Sequence, residues 1–253
     1  MKKLFPEMLD RPETGSIVSG VVYAVLCFWS MPFIILLFLA DSLQNPSFVA
    51  TAELVYHAVN GIAAVCIFRG FLKDSFLNVQ ADKASFFATV GVCASLMLGY
   101  SLILSLVCRF SSAPLVQLAA GSTLPLAEME ALMLSSNLVY HSPALGMLCI
   151  VFLSPIAISC LHYSVAFCPV ATSKPVLAYL VLAVVLFLPR LANGMTYWNL
   201  QEEIILFFVQ LPLHLIACWG FQKTDSVWTP IASLFFANLF SCAMLLVNSG
   251  VLR

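Results

Sequence analysis

Seven apolar stretches, at approximately 16–40, 47–72, 83–108, 142–168, 174–195, 198–220 and 227–252, constrain this chain more than anything else in it. Each approaches or exceeds the roughly 20 mainly apolar residues that a helix needs to cross a bilayer. The spacing predicts an all-α fold, a polytopic membrane helical bundle of about seven transmembrane helices, with residues 1–253 forming a single integral membrane domain. Composition supports the same class. Hydrophobic residues make up 62% of the chain and charged residues 9%, against about 25% charged in a soluble domain. A water-soluble core of this length would leave large apolar patches exposed, so the apolar surface faces membrane lipid. The net charge of -1 lacks the basic excess that nucleic acid requires.

The first stretch follows Lys2 and Lys3 but is too long for the apolar segment of a signal peptide, and it reads as a retained span. With the N-terminus inside, the cytoplasmic segments hold Lys2, Lys3, Arg11, Arg69, Lys73, Lys83, Lys174 and Lys223, and the outer segments Arg109, Arg190 and Arg253. That bias predicts a cytoplasmic N-terminus and an external C-terminus in the cell membrane. The long connection 109–141 falls outside. Within it, Thr123-Leu124-Pro125-Leu126-Ala127-Glu128 reads as a capped helix start, either lying on the membrane or packed on the bundle.

Nine cysteines show no CxxC and no paired metal spacing, and they read as reduced packing residues. No two histidines stand close enough to imply zinc. No metal and no cofactor are expected. Glu53, His57 and Asn60 fall on one face of the second span, as a local structural set or as a proton or ion path. His162 and Tyr163 either line a polar cavity with Ser159 or bond to neighbouring helices. His214, just after Pro212, reads as a helix-to-helix contact. The acidic pair Glu202-Glu203 reads as interfacial, at the outer mouth of the sixth span.

Four pieces of the second half carry a further pattern: Ser154-Pro155-Ile156-Ala157, Phe187, Ser226-Val227-Trp228-Thr229-Pro230, and Asn238. In order and spacing, residues 140–245 resemble the core of the CPBP family, the CAAX-protease and bacteriocin-processing intramembrane proteases. The resemblance implies a Glu-Glu-x-x-x-Arg motif after the proline, a Phe-x-x-x-His motif on the next span, and a His-x-x-x-Asn motif on the last. A Thr-Gly-Ser-x-Trp-x-Pro turn would introduce that last helix. Here the first motif is replaced by Ile158-Ser159-Cys160-Leu161-His162-Tyr163, the second ends at Leu191, and the third begins at Leu234 and keeps Asn238. Thr224-Asp225-Ser226-Val227-Trp228-Thr229-Pro230 matches the turn with Asp for Gly.

The family-equivalent groove positions are therefore Ile158, Ser159, Tyr163, Leu191, Leu234 and Asn238, with no catalytic set intact. Ile158 and Leu191 accept no proton, so general-base catalysis has no agent, and Leu234 removes one oxyanion partner of Asn238. By this resemblance the chain is a pseudoprotease that binds a hydrophobic peptide or membrane protein, or serves bacteriocin immunity. Two alternatives remain open. One is a protease using displaced acids such as Glu128 or Glu130; the other is a small transporter built on Glu53 and His57. The alignment also sets Ile158 about nine residues from a loop near 167, which would require part of 169–180 to bend or lie along the interface.

Overall fold

In a computed structural model, residues 12–30, 45–110, 142–197 and 200–248 are described, and every regular element among them is a helix. Helix α1 runs over Thr14–Tyr23 and continues through a π-helical turn, Ala24–Trp29. It is followed by α2 (Pro46–Ile67), α3 (Arg69–Ala81) and α4 (Lys83–Phe110). Next comes α5, one composite helix spanning Pro143–Ala171, then α6 (Pro175–Tyr197), α7 (Leu200–Thr224) and α8 (Trp228–Asn248).

Seven of these helices fall in the seven apolar stretches of the sequence, the first of which is described only as far as residue 30. Four contain stretches long and apolar enough to cross a membrane by length and composition: Ala50–Ile67, Lys83–Leu104, Pro143–Ala171 and Glu203–Thr224. The apolar stretches Thr14–Leu26, Pro175–Leu191 and Trp228–Ala243 are shorter, at 10–17 residues among those described. The expected connection 109–141, with Thr123, Glu128 and Glu130, lies outside the described residues apart from the end of α4.

Helix α3 is an element that apolar run length did not reveal, since the second stretch was expected to continue to 72. Phe68, with φ -102° and ψ 17°, marks the break, yet its N–H still donates to Ala64 O at 3.0 Å. Beyond it Phe71, Leu72, Ser75 and Val79 are buried while Arg69, Lys73 and Asp74 are exposed. This is the one-sided burial of a helix at a surface. Asp82 ends α3 and caps α4, its Oδ1 accepting from Ser85 N at 2.9 Å, as an N-cap aspartate does.

Polar side chains are enclosed within the apolar interior, and apolar ones face outward from the long helices. His57, Asn60, Ser159, His162, Ser164, Arg190, Glu203, Gln210 and His214 are all buried. Val55, Val59 and Ile62 on α2, and Leu180, Val184 and Leu188 on α6, are exposed at helical spacing. A soluble bundle would reverse this distribution; hydrocarbon around the helices rewards it.

Helix α5 is the axis of the bundle. The buried share of Pro143–Ala171 is 61%, against 28–39% for the other three long apolar helices, and every residue from Ala157 to Ser164 is buried. Two glycines let earlier helices approach it. A Cβ on Gly61 of α2 would lie 2.8 Å from Leu153 Cβ, and one on Gly20 of α1 would lie 2.9 Å from Val165 Cγ2 and 2.6 Å from Phe68 Cζ. Such contacts are the close approaches that small residues permit between spans.

Because Leu153 offers backbone-proximal atoms rather than a flexible tip at Gly61, Gly61→Val is expected to destabilise the fold by about 1–3 kcal/mol through overpacking. Thermal denaturation in mild detergent would read this as a lower midpoint, whereas Gly70→Ala, in open space, should leave the midpoint near wild type.

Candidate functional site

The stretch that resembles a protease core is built around a proline inside α5. Pro155 has no N–H to donate, and its ring crowds the preceding turn. A π-helical turn, Leu148–Leu153, lies immediately before it, and Ser154 N donates to Cys149 O, five residues back. In that register the next bond, to Ile150 O, would have to come from Pro155, which has none to give. The structure meets the need from another helix: Asn238 Nδ2 of α8 donates to Ile150 O at 2.9 Å. Asn238 is thus a structural partner of Pro155, and both are buried.

A second π-helical stretch, Ser159–Phe167, follows and ends just before Pro169. Helix continues to Ala171, so the hairpin turn falls at 172–174 rather than near 167. Ile158 then lies fourteen residues before Thr172, and Leu191 seventeen after Lys174. The mismatch in depth that the sequence implied is small, and the bend expected over 169–180 reduces to this three-residue turn.

Ile158, Tyr163 and Leu234 belong to one central apolar cluster and are each exposed by no more than 1%. Ser159 is fully buried, and its Oγ has no hydrogen-bond partner among the described residues. The Tyr163 hydroxyl meets His214 Nδ1 at 3.0 Å, and the rings of His162 and His214 meet edge to face at 5.8 Å. Leu191 is half-buried and stands outside that cluster. The expected groove positions are therefore gathered mainly as packed interior. Tyr163 bonds to a neighbouring helix, one of the two uses foreseen for it, while His162 meets the same helix through its ring.

Sequence reasoning missed a charged site nearby. Arg190 of α6 donates from Nη1 to Glu203 Oε2 at 3.2 Å and from Nη2 to Gln210 Oε1 at 3.1 Å, both on α7. Arg190 is 7% exposed and Glu203 3%, so Glu203 is enclosed between helices; the Glu202 side chain lies outside the described residues. The signal was present in the sequence: an arginine and an acid in consecutive apolar stretches, with a glutamine two helical turns beyond the acid. Burial of each charge requires the other. Further along α7, Gln222 Oε1 accepts from the Tyr179 hydroxyl at 3.1 Å. Glu203, Gln210, His214 and Gln222 thus tie α7 to α5 and α6 along much of its length.

On α2, Asn60 Nδ2 donates to Tyr56 O and its Oδ1 accepts from the Tyr23 hydroxyl, both at 2.8 Å. His57 is buried with its ring against Tyr56, and the Glu53 side chain lies outside the described residues. Asn60 thus joins α2 to α1, the local structural use.

The turn 224–228 is fixed by α3. Asn78 Nδ2 donates to Asp225 O at 2.8 Å, Ser226 Oγ to Ser75 O at 2.9 Å, and Trp228 Nε1 to Leu72 O at 2.8 Å. Asp225 has φ 50°, the left-handed region, which is the position where the resembled turn carries glycine. Beside this turn lies a cavity of about 460 Å³, walled by Val65, Leu72, Phe76, Ile156 and Trp228, with Arg69 and Lys73 also lining it. That volume is within the 300–1,000 Å³ range of small-molecule sites. Among the described residues, no group of three or more His, Cys, Asp or Glu side chains is placed to hold a metal. Compared with protein-family models, curated proteins and solved structures, the chain matches none of them.

Two outcomes follow from this geometry. Asn238→Leu strands a buried carbonyl and should cost about 1–3 kcal/mol. In a Pro155→Ala background, where residue 155 regains its N–H, the same change should cost distinctly less, a coupling that a double-mutant cycle of denaturation midpoints would measure. Asp225→Gly removes a left-handed non-glycine residue and should raise stability by about 1 kcal/mol, seen as a higher thermal midpoint.

Proposed function

We propose that this chain is a non-catalytic, multi-pass membrane protein that retains a CPBP-like scaffold for binding. It crosses the cell membrane about seven times, with its N-terminus cytoplasmic and its C-terminus outside. The observation that carries the reading is the state of the family-equivalent positions. Ile158 and Leu234 are apolar and enclosed, Ser159 has no base bonded to it among the described residues, and the Asn238 amide is committed to Ile150 O. Hydrolysis requires a proton acceptor within hydrogen-bond reach of water and donors free to meet developing negative charge. Neither is provided by these side chains.

Binding moves instead to the cavity beside the 224–228 turn. There the wall residues Ile156 and Trp228 come from the two segments that most resemble the protease scaffold, while α2 and α3 provide the rest. The scaffold in this reading holds a hydrophobic ligand next to the old reaction centre rather than within it. The orientation read from Lys and Arg places Arg69, Lys73, Lys83, Lys174 and Lys223 on the cytoplasmic side, and with them the cavity.

Photo-crosslinking in native membranes tests this reading. A crosslinker at Phe76, on the cavity wall and 46% exposed, should capture a discrete species that a control at Val176, 69% exposed, does not. A crosslinker at Ser159 should yield only bonds within the chain. Capture of an external peptide from Ser159, and above all of a cut one, would restore the protease reading and refute this one.

A further inference from the structure

We infer that the cavity between α2, α3, α5 and the start of α8 is a binding site for an anionic phospholipid, with the phosphodiester held by Arg69 and Lys73. This deepens the proposal that the cavity is the binding site of the protein, and rests on it. Three observations select the ligand.

The first is charge. Arg69 and Lys73 stand one helical turn apart on α3, both exposed, and both line the cavity with the carbons of their side chains. Among the described residues neither makes a hydrogen bond or an ion pair, and no acidic side chain lines the cavity. Two exposed cations one turn apart, at the edge of an apolar cavity, offer a phosphate outside it two charge-assisted partners.

The second is polarity along the cavity. Val65 lies on the last apolar turn of α2, and Ile156 comes from the bundle axis. Arg69 and Lys73 follow Val65 by one and two turns, where the helix becomes amphipathic. The site therefore grades from hydrocarbon wall to cationic rim in the sense of an amphiphile lying with its head at the membrane surface. Trp228 has its indole N–H fixed on Leu72 O, which presents the ring as a rigid wall.

The third separates a lipid from a peptide. A peptide strand entering the apolar part would bring backbone N–H and C=O groups that need partners. The walls Val65, Leu72, Phe76 and Ile156 carry only apolar side chains, and the one side-chain donor among the walls, Trp228 Nε1, is already used. An acyl chain asks for no hydrogen bonds. Basic residues at the cytoplasmic end of spans are also the usual means of selecting anionic lipid.

The test uses the full-length protein in mild detergent, titrated with phosphatidylglycerol or with phosphatidylcholine of identical acyl chains and read by native mass spectrometry. Phosphatidylglycerol should bind as a discrete adduct about tenfold more tightly, given the attraction that two surface cations supply. R69Q/K73Q should bring the two lipids to parity. K83Q/K223Q, which removes the same charge from the same side, should keep the preference. A preference that survives R69Q/K73Q, or is lost equally in K83Q/K223Q, would overturn the inference in favour of diffuse attraction. Equal discrete binding of both lipids by the wild type would overturn the anionic selectivity while leaving a binding cavity; no discrete adduct from either would remove both.

Discussion

Hydrocarbon supplies no hydrogen bonds, and one carbonyl shows how fully this bundle is organised by that fact. Pro155 interrupts the central helix, the preceding π turn shifts the register, and Ile150 O is left with no donor on its own helix. Asn238 reaches across from α8 to meet it. Had the carbonyl been at a surface in water, the asparagine would be optional. Inside a membrane its absence leaves a buried acceptor stranded, at a cost of about 1–3 kcal/mol. The proline and the asparagine are therefore one device, separated by more than eighty residues of sequence.

The same constraint arranges several other polar groups, although Ser159 Oγ is left without a partner among the described residues. Tyr23 meets Asn60, Tyr163 meets His214, Tyr179 meets Gln222, and Arg190 meets Glu203 and Gln210. Each pair links two different helices, and α7 takes part in most of them. Interhelical side-chain bonds of this kind contribute modestly one at a time. Together they fix which face of each helix turns inward, something that apolar side chains against apolar lipid specify poorly.

Much of this was legible in the sequence, and where it was not, the reason is physical. The positions of seven helices followed from apolar run length, and four of them hold stretches long and apolar enough to cross a bilayer. Helix α3 did not, because its burial is one-sided and polar residues such as Lys73, Asp74 and Asn78 interrupt its apolar ones, so it fell below a test based on apolar length. Ile158, Tyr163, Leu234 and Asn238 were found from motif order, and the helices do bring them into the same interior. Their roles were less accessible. Nothing in the string of letters says that Ile150 O is orphaned, since that depends on a π register. The partner of Glu203 was hidden for a related reason: an acid near the end of an apolar stretch gives no sign of the arginine that neutralises it on a neighbouring helix.

The glycine notch at Gly61 has a consequence for the order in which the protein is made. It is shaped to receive α5 through Leu153, yet it lies on a helix synthesised long before it. Gly20 meets Phe68 as well as Val165, and Phe68 is made soon after it. A ribosome that has completed α1 to α4 has thus produced one recess that already has an occupant and one that has none. The second waits until residues 143–171 emerge, and the last three helices then close around the newcomer. The central helix is thus a late arrival, and the early part of the chain must hold a place for it.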